Sequence, residues 1–374
     1  MKVAIVHDWL VELGGAEKVF TAIAELYPSA DIFSLVCFLS EKELPCLAER
    51  NITTSFIQKL PFAAKKYRSY FALMPLAIEQ LDFSEYDLII SSSYCVAKGI
   101  ITGPDQIHIS YCHSPMRYAW DLQNQYLRDS NLSKGIKSIL TRYLLHKMRI
   151  WDVRSSFGVD YFIANSEFIG RRIQKTYRRS SKVIYPNIDV DKFDVVEEKQ
   201  NFYITWSRLV PYKKIDLIVE AFSKMPDKKL IVIGDGPDRA KIEALSTSNI
   251  ELMGYQPFST LKTLVQNAKA VIFAAEEDFG MVPLESQAAG TPVLAYGKGG
   301  AKETIIDGET GLFFYEQSTD AIQDVVNRFE QSRHNFSPFN CRKNAEMFSD
   351  SKFKTNFSCY VEKCISEYLP AIKS

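Results

Sequence analysis

Short apolar runs alternate with amphipathic segments along the whole chain. In the first half, residues 2–7 have the composition of a buried strand, and Gly14 and Gly15 open a helix that we predict from Ala16 to about Tyr27. Further strands are predicted at residues 31–38, 88–92, 107–112 and 161–164, with helical patterns between them. Strands that alternate with helices build a parallel sheet covered on both faces, so this half is predicted to be a doubly wound α/β domain.

The same alternation restarts after a polar, proline-containing segment at residues 186–200. Strands are predicted at residues 202–206, 229–233, 250–253, 270–275 and 292–295, and helices at residues 215–222, 239–245, 259–267, 283–289 and 301–306. A chain of 374 residues also exceeds what one hydrophobic core usually supports. We therefore predict an N-terminal domain over residues 1–186 and a second α/β domain over residues 187–352.

Composition argues against several classes of protein. Hydrophobic residues make up 46% of the chain and charged residues 24%, which is typical of soluble globular proteins. The seven cysteines are odd in number and contain no Cys-x-x-Cys pair, so neither a disulfide framework nor a zinc site is expected. This use of cysteine predicts a protein of the reducing cytoplasm. The N-terminal apolar stretch is too short for a secretion signal, and no run approaches the ~18 apolar residues of a membrane span.

Charge is unevenly distributed, although the 45 basic and 45 acidic side chains cancel. Residues 57–186 carry 19 basic and 10 acidic side chains, interleaved with aromatic residues. Two segments here, 57–81 and 135–153, are predicted to be amphipathic helices whose basic faces would bind an anionic membrane surface. A merely solvated helix face is the alternative. Because the excess is mild and no reader motif is present, nucleic acid is not expected as a partner.

Residues 276–285, EEDFGMVPLE, place acids at the end of a predicted strand, where open α/β sheets bind their ligands. Glu277 lies in the loop, Gly280 lets backbone approach a ligand, Pro283 suits a first helical position, and Glu285 is predicted in the first helical turn. The helix N-terminus suits phosphate, and the two acids suit sugar hydroxyls. Because the same Glu-x7-Glu spacing occurs at three other places, only this context carries the prediction.

Two cations follow the strand predicted at residues 202–206. The guanidinium of Arg208 and the ammonium of Lys213 would together clamp a diphosphate at the same edge of the sheet. A surface basic cluster without function is the alternative.

Taken together, these motifs resemble the retaining glycosyltransferases of family 4, whose GT-B architecture has two Rossmann-like domains facing a cleft. The resemblance covers nearly the whole chain. It is carried, in order, by Gly14-Gly15-Ala16-Glu17, His113 at a strand end, Arg208 and Lys213, Glu277 through Glu285, and residues 290–293 and 299–303. Ser207 and Lys214 stand where the family usually has glycine, which leaves the loop near Lys213 less defined.

The resemblance implies a role for each matched residue of the second domain. Arg208 and Lys213 would hold the leaving diphosphate. Glu285 would bind the ribose. The donor sugar would be held by Glu277 and by the backbone that follows it, through Gly280, Met281 and Val282, and the base would be read by backbone near Met253.

In the first domain, the resemblance implies that His113 reaches the donor sugar and that Gly14 and Gly15 admit the phosphates. The final helices, at about residues 353–374, would complete this domain. Neither a metal nor a cofactor is implied, and Asp189 and Asp191 in the linker are not interpreted as a metal site.

Residues 111–121, YCHSPMRYAWD, look most like bacterial mannosyltransferases of O-antigen and capsule assembly. This implies transfer of mannose from GDP-mannose, with retention, onto a polyprenyl-diphosphate-linked oligosaccharide in lipopolysaccharide O-antigen, capsule or exopolysaccharide synthesis. The protein would be cytoplasmic and peripherally bound to the inner membrane.

Several alternatives stay open. In one alternative, the protein is a retaining transferase whose donor is a UDP-sugar. In another, it is a GT-B epimerase or phosphorylase. In a different class, it would be a catalytically inactive sugar-nucleotide-binding protein. A nucleotide-dependent oxidoreductase is disfavoured, because Gly14 and Gly15 do not form a Gly-x-Gly-x-x-Gly fingerprint.

Overall fold

The computed structural model describes the backbone of residues 1–373 and the side chains of residues 1–368. It divides into two compact units. The N-terminal unit contains residues 1–187 and the segment from Phe353 onward, and the C-terminal unit is Ile188–Lys352.

A seven-stranded parallel sheet forms the N-terminal unit, in the order β3-β2-β1-β4-β5-β6-β7. Its strands are β1 (Val3–His7), β2 (Asp31–Ser34), β3 (Ile52–Thr54), β4 (Leu88–Ser93), β5 (Ile107–Cys112), β6 (Tyr161–Ala164) and β7 (Lys182–Val183). Its first helices are α1 (Gly15–Leu26), α2 (Ala63–Lys66), α3 (Met74–Glu79), α4 (Gln123–Asp129), α5 (Ile136–Ser156) and α6 (Glu167–Tyr177). Every residue of β4 and β5 is buried, as expected of central strands covered on both faces.

The five strands predicted in this half are confirmed, but β2 is shorter than predicted. Regular pairing stops at Ser34 and resumes as one isolated bridge between Leu10 and Cys37. The Leu35 amide donates to the carbonyl of Asp8 at 3.2 Å, and the Leu10 amide donates to the carbonyl of Val36 at 2.9 Å. The additional strands β3 and β7 lie towards the two edges of the sheet. They have three and two residues, too few for a recognisable hydrophobic pattern.

The prediction of one amphipathic helix over residues 57–81 is wrong. Two 3₁₀ helices, Phe56–Lys59 and Tyr67–Leu73, alternate there with α2 and α3. Phe62 has a left-handed backbone (φ 57°), which interrupts helical geometry directly after Pro61. The second amphipathic helix is confirmed as α5.

A six-stranded parallel sheet forms the C-terminal unit, in the order β10-β9-β8-β11-β12-β13. Its strands are β8 (Tyr203–Trp206), β9 (Leu230–Ile233), β10 (Ile250–Gly254), β11 (Ala270–Phe273), β12 (Val293–Tyr296) and β13 (Gly311–Phe314). Its helices are α7 (Ile215–Ser223), α8 (Arg239–Leu245), α9 (Phe258–Asn267), α10 (Met281–Ala288), α11 (Ala301–Thr304), α12 (Thr319–Ser332) and α13 (Pro338–Glu346). The predicted strands and helices are confirmed, whereas β13, α12 and α13 were not predicted.

The last helix, α14 (Asp350–Lys373), returns to the core of the N-terminal unit. Phe353, Phe357 and Val361 repeat every fourth residue and are at most 2% exposed. The ring of Tyr111 on β5 lies 5.9 Å from that of Phe353 and 6.4 Å from that of Phe357, measured between centroids. One apolar stripe of α14 therefore covers the sheet near β5.

Candidate functional site

The strand order of the C-terminal unit creates a crevice between β8 and β11. These two strands pair in parallel, but β8 is followed by β9 on one side of it and β11 by β12 on the other. Loops that leave neighbouring strands in opposite directions open a crevice at the carboxyl ends, which is where doubly wound sheets bind ligands. Arg208 and Lys213 follow β8, and Glu277 follows β11, so these three predicted site residues flank the crevice.

Lys213 and Glu277 form an ion pair across the crevice. The Nζ atom of Lys213 donates to Oε1 of Glu277, and each side chain keeps only 16% of its surface exposed. The sequence alone predicts separate roles for these two residues, a cation for the phosphate and an acid for the sugar. The structure instead joins them, so that each charge orients the other.

Two glycines hold the Glu277 loop against the loop that follows β12. The amide of Gly300 donates to the Glu277 carbonyl at 2.9 Å, and Gly299, at φ 70°, bridges to Glu277. A Cβ atom at Gly299 would lie 2.3 Å from the Glu277 carbonyl oxygen, and one at Gly300 would lie 2.3 Å from Cα of Phe279. Only glycine permits this backbone contact, which fixes the position of Glu277.

The loop that carries Arg208 has a similar backbone support. The Leu209 amide donates to the carbonyl of Asp235 at 2.9 Å, in the loop after β9. Gly234 has φ 135°, and a Cβ there would lie 1.8 Å from the Ser207 carbonyl oxygen. Within the described part of the chain, Arg208 has no ion pair and its side chain is exposed, so its guanidinium is available to an anion.

The backbone conformation of Lys214 shows how the loop accommodates a lysine where the family usually has glycine. It has a left-handed backbone, with φ 58°, and it is the N-cap of α7. This conformation costs roughly 1–2 kcal/mol for a residue with a Cβ and nothing for glycine. The glycine that the family usually has at this position suits the same loop shape, so the shape is retained here with a lysine.

Glu285 lies two residues further into its helix than predicted, beyond the first turn. Helix α10 begins at Met281, because Gly280 adopts φ 89° and is its N-cap. Pro283 is therefore the third helical residue, where its missing N–H is still tolerated, and Glu285 is the fifth. The first turn of α10 therefore contains the backbone amides of Met281 and Val282. Amides at a helix N-terminus suit the binding of an anion.

Met253 and Gly254 lie at the end of β10, beside the loop after β9. Gly254 has φ 67°, and its carbonyl accepts from the amide of Gly234 at 2.8 Å. The carbonyl of Met253 accepts from Nε2 of Gln256 at 2.7 Å. The structure thus places this backbone next to the loop that supports Arg208, and its contact with the base stays a prediction.

In the N-terminal unit, His113 directly follows β5 and is 8% exposed. Its Nε2 lies 2.8 Å from Oγ of Ser92, and Nδ1 of His7 lies 3.0 Å from the same oxygen. Burial lowers the pKa of His113 to about 3, with a further lowering from His7, so the ring is neutral near pH 7. His7 and Ser92 were not identified from the sequence, although both are polar residues at strand ends.

Gly14 and Gly15 begin α1, and Glu17 lies in its first turn. The Gly14 amide donates to Oε2 of Glu17 at 2.9 Å, and a Cβ at Gly14 would lie 2.9 Å from that oxygen. Glycine at position 14 therefore serves the contact with Glu17. A phosphate contact at these glycines stays a prediction.

The linker acids have ordinary partners. Asp189 pairs with Lys192 at 2.7 Å, and Asp191 pairs with Arg342 at 3.4 Å. Among the residues that the structure describes, no group of three or more histidines, cysteines and acids could hold a metal ion.

Two family models match consecutive parts of the chain. The model described as Glycosyltransferase Family 4 matches residues 13–192, and the model described as Glycosyl transferases group 1 matches residues 187–348. The chain is a family 4-like glycosyltransferase with the GT-B fold. The fold prediction is thereby confirmed.

Three similar proteins are in accord with this glycosyltransferase family. An uncharacterized glycosyltransferase of Methanocaldococcus jannaschii is 28% identical over 63% of this chain and 68% of its own length. The alpha-1,3/1,6-mannosyltransferase alg-2 of Neurospora crassa is 26% identical over 54% of this chain and 52% of its own. The crystal structure of Anabaena HepE in complex with UDP has a TM-score of 0.69 and 17% identity, over 97% of this chain and all of that one.

In this glycosyltransferase, Gly299→Ala is expected to displace the Glu277 loop and to destabilise the C-terminal unit by more than about 3 kcal/mol. The reason is the backbone clash with Glu277, which adds to the cost of a left-handed alanine. Gly308→Ala is the matched control, since Gly308 has φ 79° but nothing within 4 Å of its Cβ position. The control should lose only about 1–2 kcal/mol. Urea unfolding measures both, and equal losses would contradict the proposed support of Glu277.

Proposed function

We propose that the protein is a retaining hexosyltransferase that uses a nucleoside diphosphate sugar. The observation that carries the proposal is the meeting of Arg208, Lys213 and Glu277 at the crevice between β8 and β11. Two cations and one acid held by rigid backbone match what a departing diphosphate and a sugar require. The N-terminus of α10, with its backbone amides, begins four residues after Glu277.

In the proposed reaction, the bond between the anomeric carbon and the diphosphate oxygen breaks, and a bond from the acceptor hydroxyl forms on the same face. The acceptor's proton passes to the departing diphosphate. Arg208 and Lys213 stabilise the negative charge that develops on this leaving group, and Glu277 orients the sugar hydroxyls. Because Lys213 is already paired with Glu277, the cation is held in place before the donor binds.

The residues at the edge of this site take the roles that the family resemblance implies. Glu285 binds the ribose, and backbone at Met253 reads the base. Backbone at Gly280, Met281 and Val282 contacts the donor. His113, Gly14 and Gly15 act from the N-terminal unit. The protein uses neither a metal nor another cofactor in this scheme.

For the donor we propose GDP-mannose. The similarity to a mannosyltransferase of Neurospora crassa supports a mannosyl donor. A UDP-sugar is the second candidate, and the similarity to a structure that contains UDP favours it. The acceptor would be a polyprenyl-diphosphate-linked oligosaccharide of bacterial surface polysaccharide synthesis, namely O-antigen, capsule or exopolysaccharide.

We further propose that the N-terminal unit binds the anionic cytoplasmic surface of the inner membrane, where such an acceptor resides. Helix α5 supports this, because five exposed apolar side chains recur at helical spacing on one of its faces, Ile136, Ile139, Leu140, Tyr143 and Ile150. Exposed cations at Lys137 and Arg142 border this face, and those at Lys147 and Arg154 lie on the face itself, towards the C-terminal half of the helix. A helix that lies in a lipid interface has this composition. No helix in the described residues is long and apolar enough to cross a bilayer.

Glu277→Ala should lower turnover by roughly two orders of magnitude, because the donor sugar loses its orienting acid. Arg208→Ala should lower turnover similarly and also weaken binding of the nucleoside diphosphate. Glu243→Ala is the matched control, since Glu243 belongs to a pair of identical spacing but lies on α8, where it bonds Arg239. Product formation is measured by mass spectrometry, and titration calorimetry measures diphosphate affinity.

Near-normal turnover in Glu277→Ala would remove this residue from the site. Incubation with donor alone separates the other classes of function. A free nucleotide with an altered sugar indicates an epimerase or phosphorylase, and donor binding without turnover indicates an inactive binding protein.

GDP should raise the temperature of thermal unfolding more than UDP or ADP at equal concentration. A ligand that binds only the folded state stabilises it according to its occupancy. Transfer from GDP-mannose should likewise exceed transfer from UDP-glucose, because a site that hydrogen-bonds a particular hydroxyl rejects analogues that misplace it. A larger shift with UDP, together with preferred transfer from UDP-glucose, would replace GDP-mannose by a UDP-sugar and leave the transferase assignment intact.

The triple change of Lys65, Lys66 and Arg68 to Ser should weaken sedimentation with anionic liposomes by about 1 kcal/mol per charge at low salt. These three side chains are exposed next to Phe62, which is 76% exposed. The control removes three exposed lysines of the C-terminal unit, Lys224, Lys343 and Lys352, and should leave sedimentation unchanged. Equal losses in both variants would indicate an effect of net charge rather than a binding surface.

A further inference from the structure

A chain of three side-chain hydrogen bonds connects the start of α1 to His113. Glu17 Oε1 lies 3.3 Å from Nε2 of His7, and His7 Nδ1 lies 3.0 Å from Oγ of Ser92. The same oxygen lies 2.8 Å from Nε2 of His113. The residues come from α1, β1, β4 and the end of β5, and the three strands are neighbours in the sheet. His7 and Ser92 are fully buried, and Glu17 is 7% exposed.

Each atom in this chain can be assigned as donor or acceptor, starting from Glu17. An ionised carboxylate only accepts, and its other oxygen already accepts from the Gly14 amide at 2.9 Å. The hydrogen bond to His7 therefore needs the proton on Nε2 of that ring. A neutral His7 then has a lone pair on Nδ1 and must accept there.

The Ser92 hydroxyl transmits this polarity, because it has one proton to donate. In the described part of the chain, its side-chain partners are the two imidazole rings. If it donates to Nδ1 of His7, it has only lone pairs to offer His113. The proton of the neutral His113 ring is then on Nε2, and its Nδ1 carries a lone pair.

We infer that Glu17 fixes the tautomer of His113 through His7 and Ser92, so that His113 presents Nδ1 as a hydrogen-bond acceptor. Glu17, His7 and Ser92 are thus positioning residues. No described residue hydrogen-bonds Nδ1. The backbone on either side is anchored, because the His113 amide donates to Ser93 at 2.9 Å and its carbonyl accepts from Asn165 at 3.0 Å.

The consequence for transfer rests on the proposed function. A bare Nδ1 would accept a hydrogen bond from a hydroxyl of the donor sugar, whereas a protonated Nδ1 would compete with that hydroxyl as a second donor. The tautomer itself is a property of the free protein and does not depend on what the protein transfers.

Glu17→Gln should exchange donor and acceptor in each of the three hydrogen bonds between residue 17 and His113. Because the Gly14 amide needs an acceptor, the glutamine oxygen stays on that side and its NH₂ group faces His7. His7 Nε2 then accepts, its Nδ1 donates to Ser92, and Ser92 donates to Nε2 of His113. The proton of His113 moves to Nδ1. Tyr94, whose hydroxyl lies 3.5 Å from the same Glu17 oxygen, is able to accept instead of donate.

The test is long-range ¹H–¹⁵N NMR of the full chain with ¹⁵N-labelled histidine, which reports the protonated nitrogen of each ring. The chain has five histidines, and His7→Asn and His113→Asn variants assign the two signals that matter. The wild type should show both rings with the proton on Nε2. Glu17→Gln should show both with the proton on Nδ1. Glu25→Gln, the same change on the same helix at a residue that pairs with Lys354, should match the wild type.

Ser92→Ala provides a second test that does not depend on Glu17→Gln folding. Without the hydroxyl, the His113 signals should no longer respond to position 17, so Ser92→Ala and the double variant should have the same His113 spectrum. A wild-type His113 with its proton on Nδ1, or a doubly protonated His7, would overturn the inference. So would a Glu17→Gln variant with unchanged tautomers.

Activity then gives an independent readout. Glu17→Gln is expected to lower kcat ~10- to 100-fold, since a wrong histidine tautomer is costly where the ring contacts the substrate. Reversed tautomers with full transferase activity would leave the tautomer assignment standing and would remove His113 from the proposed site. Unchanged tautomers would overturn the inference whatever the activity.

Discussion

The parallel pairing of β8 with β11 is the constraint on which the candidate site depends. These strands lie next to each other, yet the chain between them visits β9 and β10 on one side and continues to β12 and β13 on the other. Only this arrangement brings Lys213 and Glu277, which are 64 positions apart, into one ion pair. A simple sequential order of strands would close the crevice with a connection instead of leaving it open to a ligand.

Close backbone contacts convert this topology into a defined geometry. Glycines at positions 234, 299 and 300 bring the loops on each side of the crevice within hydrogen-bonding distance of their neighbours. Loops of this kind are usually the least constrained parts of a fold. Here the loops that carry Arg208 and Glu277 are each braced by a second loop, and Lys213 ends a short 3₁₀ helix, Pro211–Lys213, so the charges are held without a long helix or strand.

The sequence predicted the strands and helices that have long apolar patterns, because those patterns are set by burial in a doubly wound sheet. It failed at Phe62, where a local left-handed turn overrides helical periodicity, and at Glu285, because the N-cap Gly280 starts α10 earlier than Pro283 suggests. It also placed Arg208, Lys213 and Glu277 after strands of one sheet, where the structure has them, since strand ends are recognisable from the pattern. It could not find the Lys213 to Glu277 bond or the role of His7, because both depend on which strands become neighbours.

The two units place different chemistry at their strand ends. In the C-terminal unit the strand ends carry charge, which suits the departing diphosphate of the proposed reaction. In the N-terminal unit they carry two buried imidazole rings joined by a hydroxyl, and burial holds the pKa of His113 at about 3, so that this ring is neutral near pH 7. If His113 contacts the donor sugar as proposed, neutrality is needed, because a cation there would oppose the positive charge that develops on the sugar as its bond to the diphosphate breaks. A neutral imidazole whose tautomer is set from a distance orients a hydroxyl without adding charge, and this explains why the polar residues around it are linked in a chain that ends at Glu17.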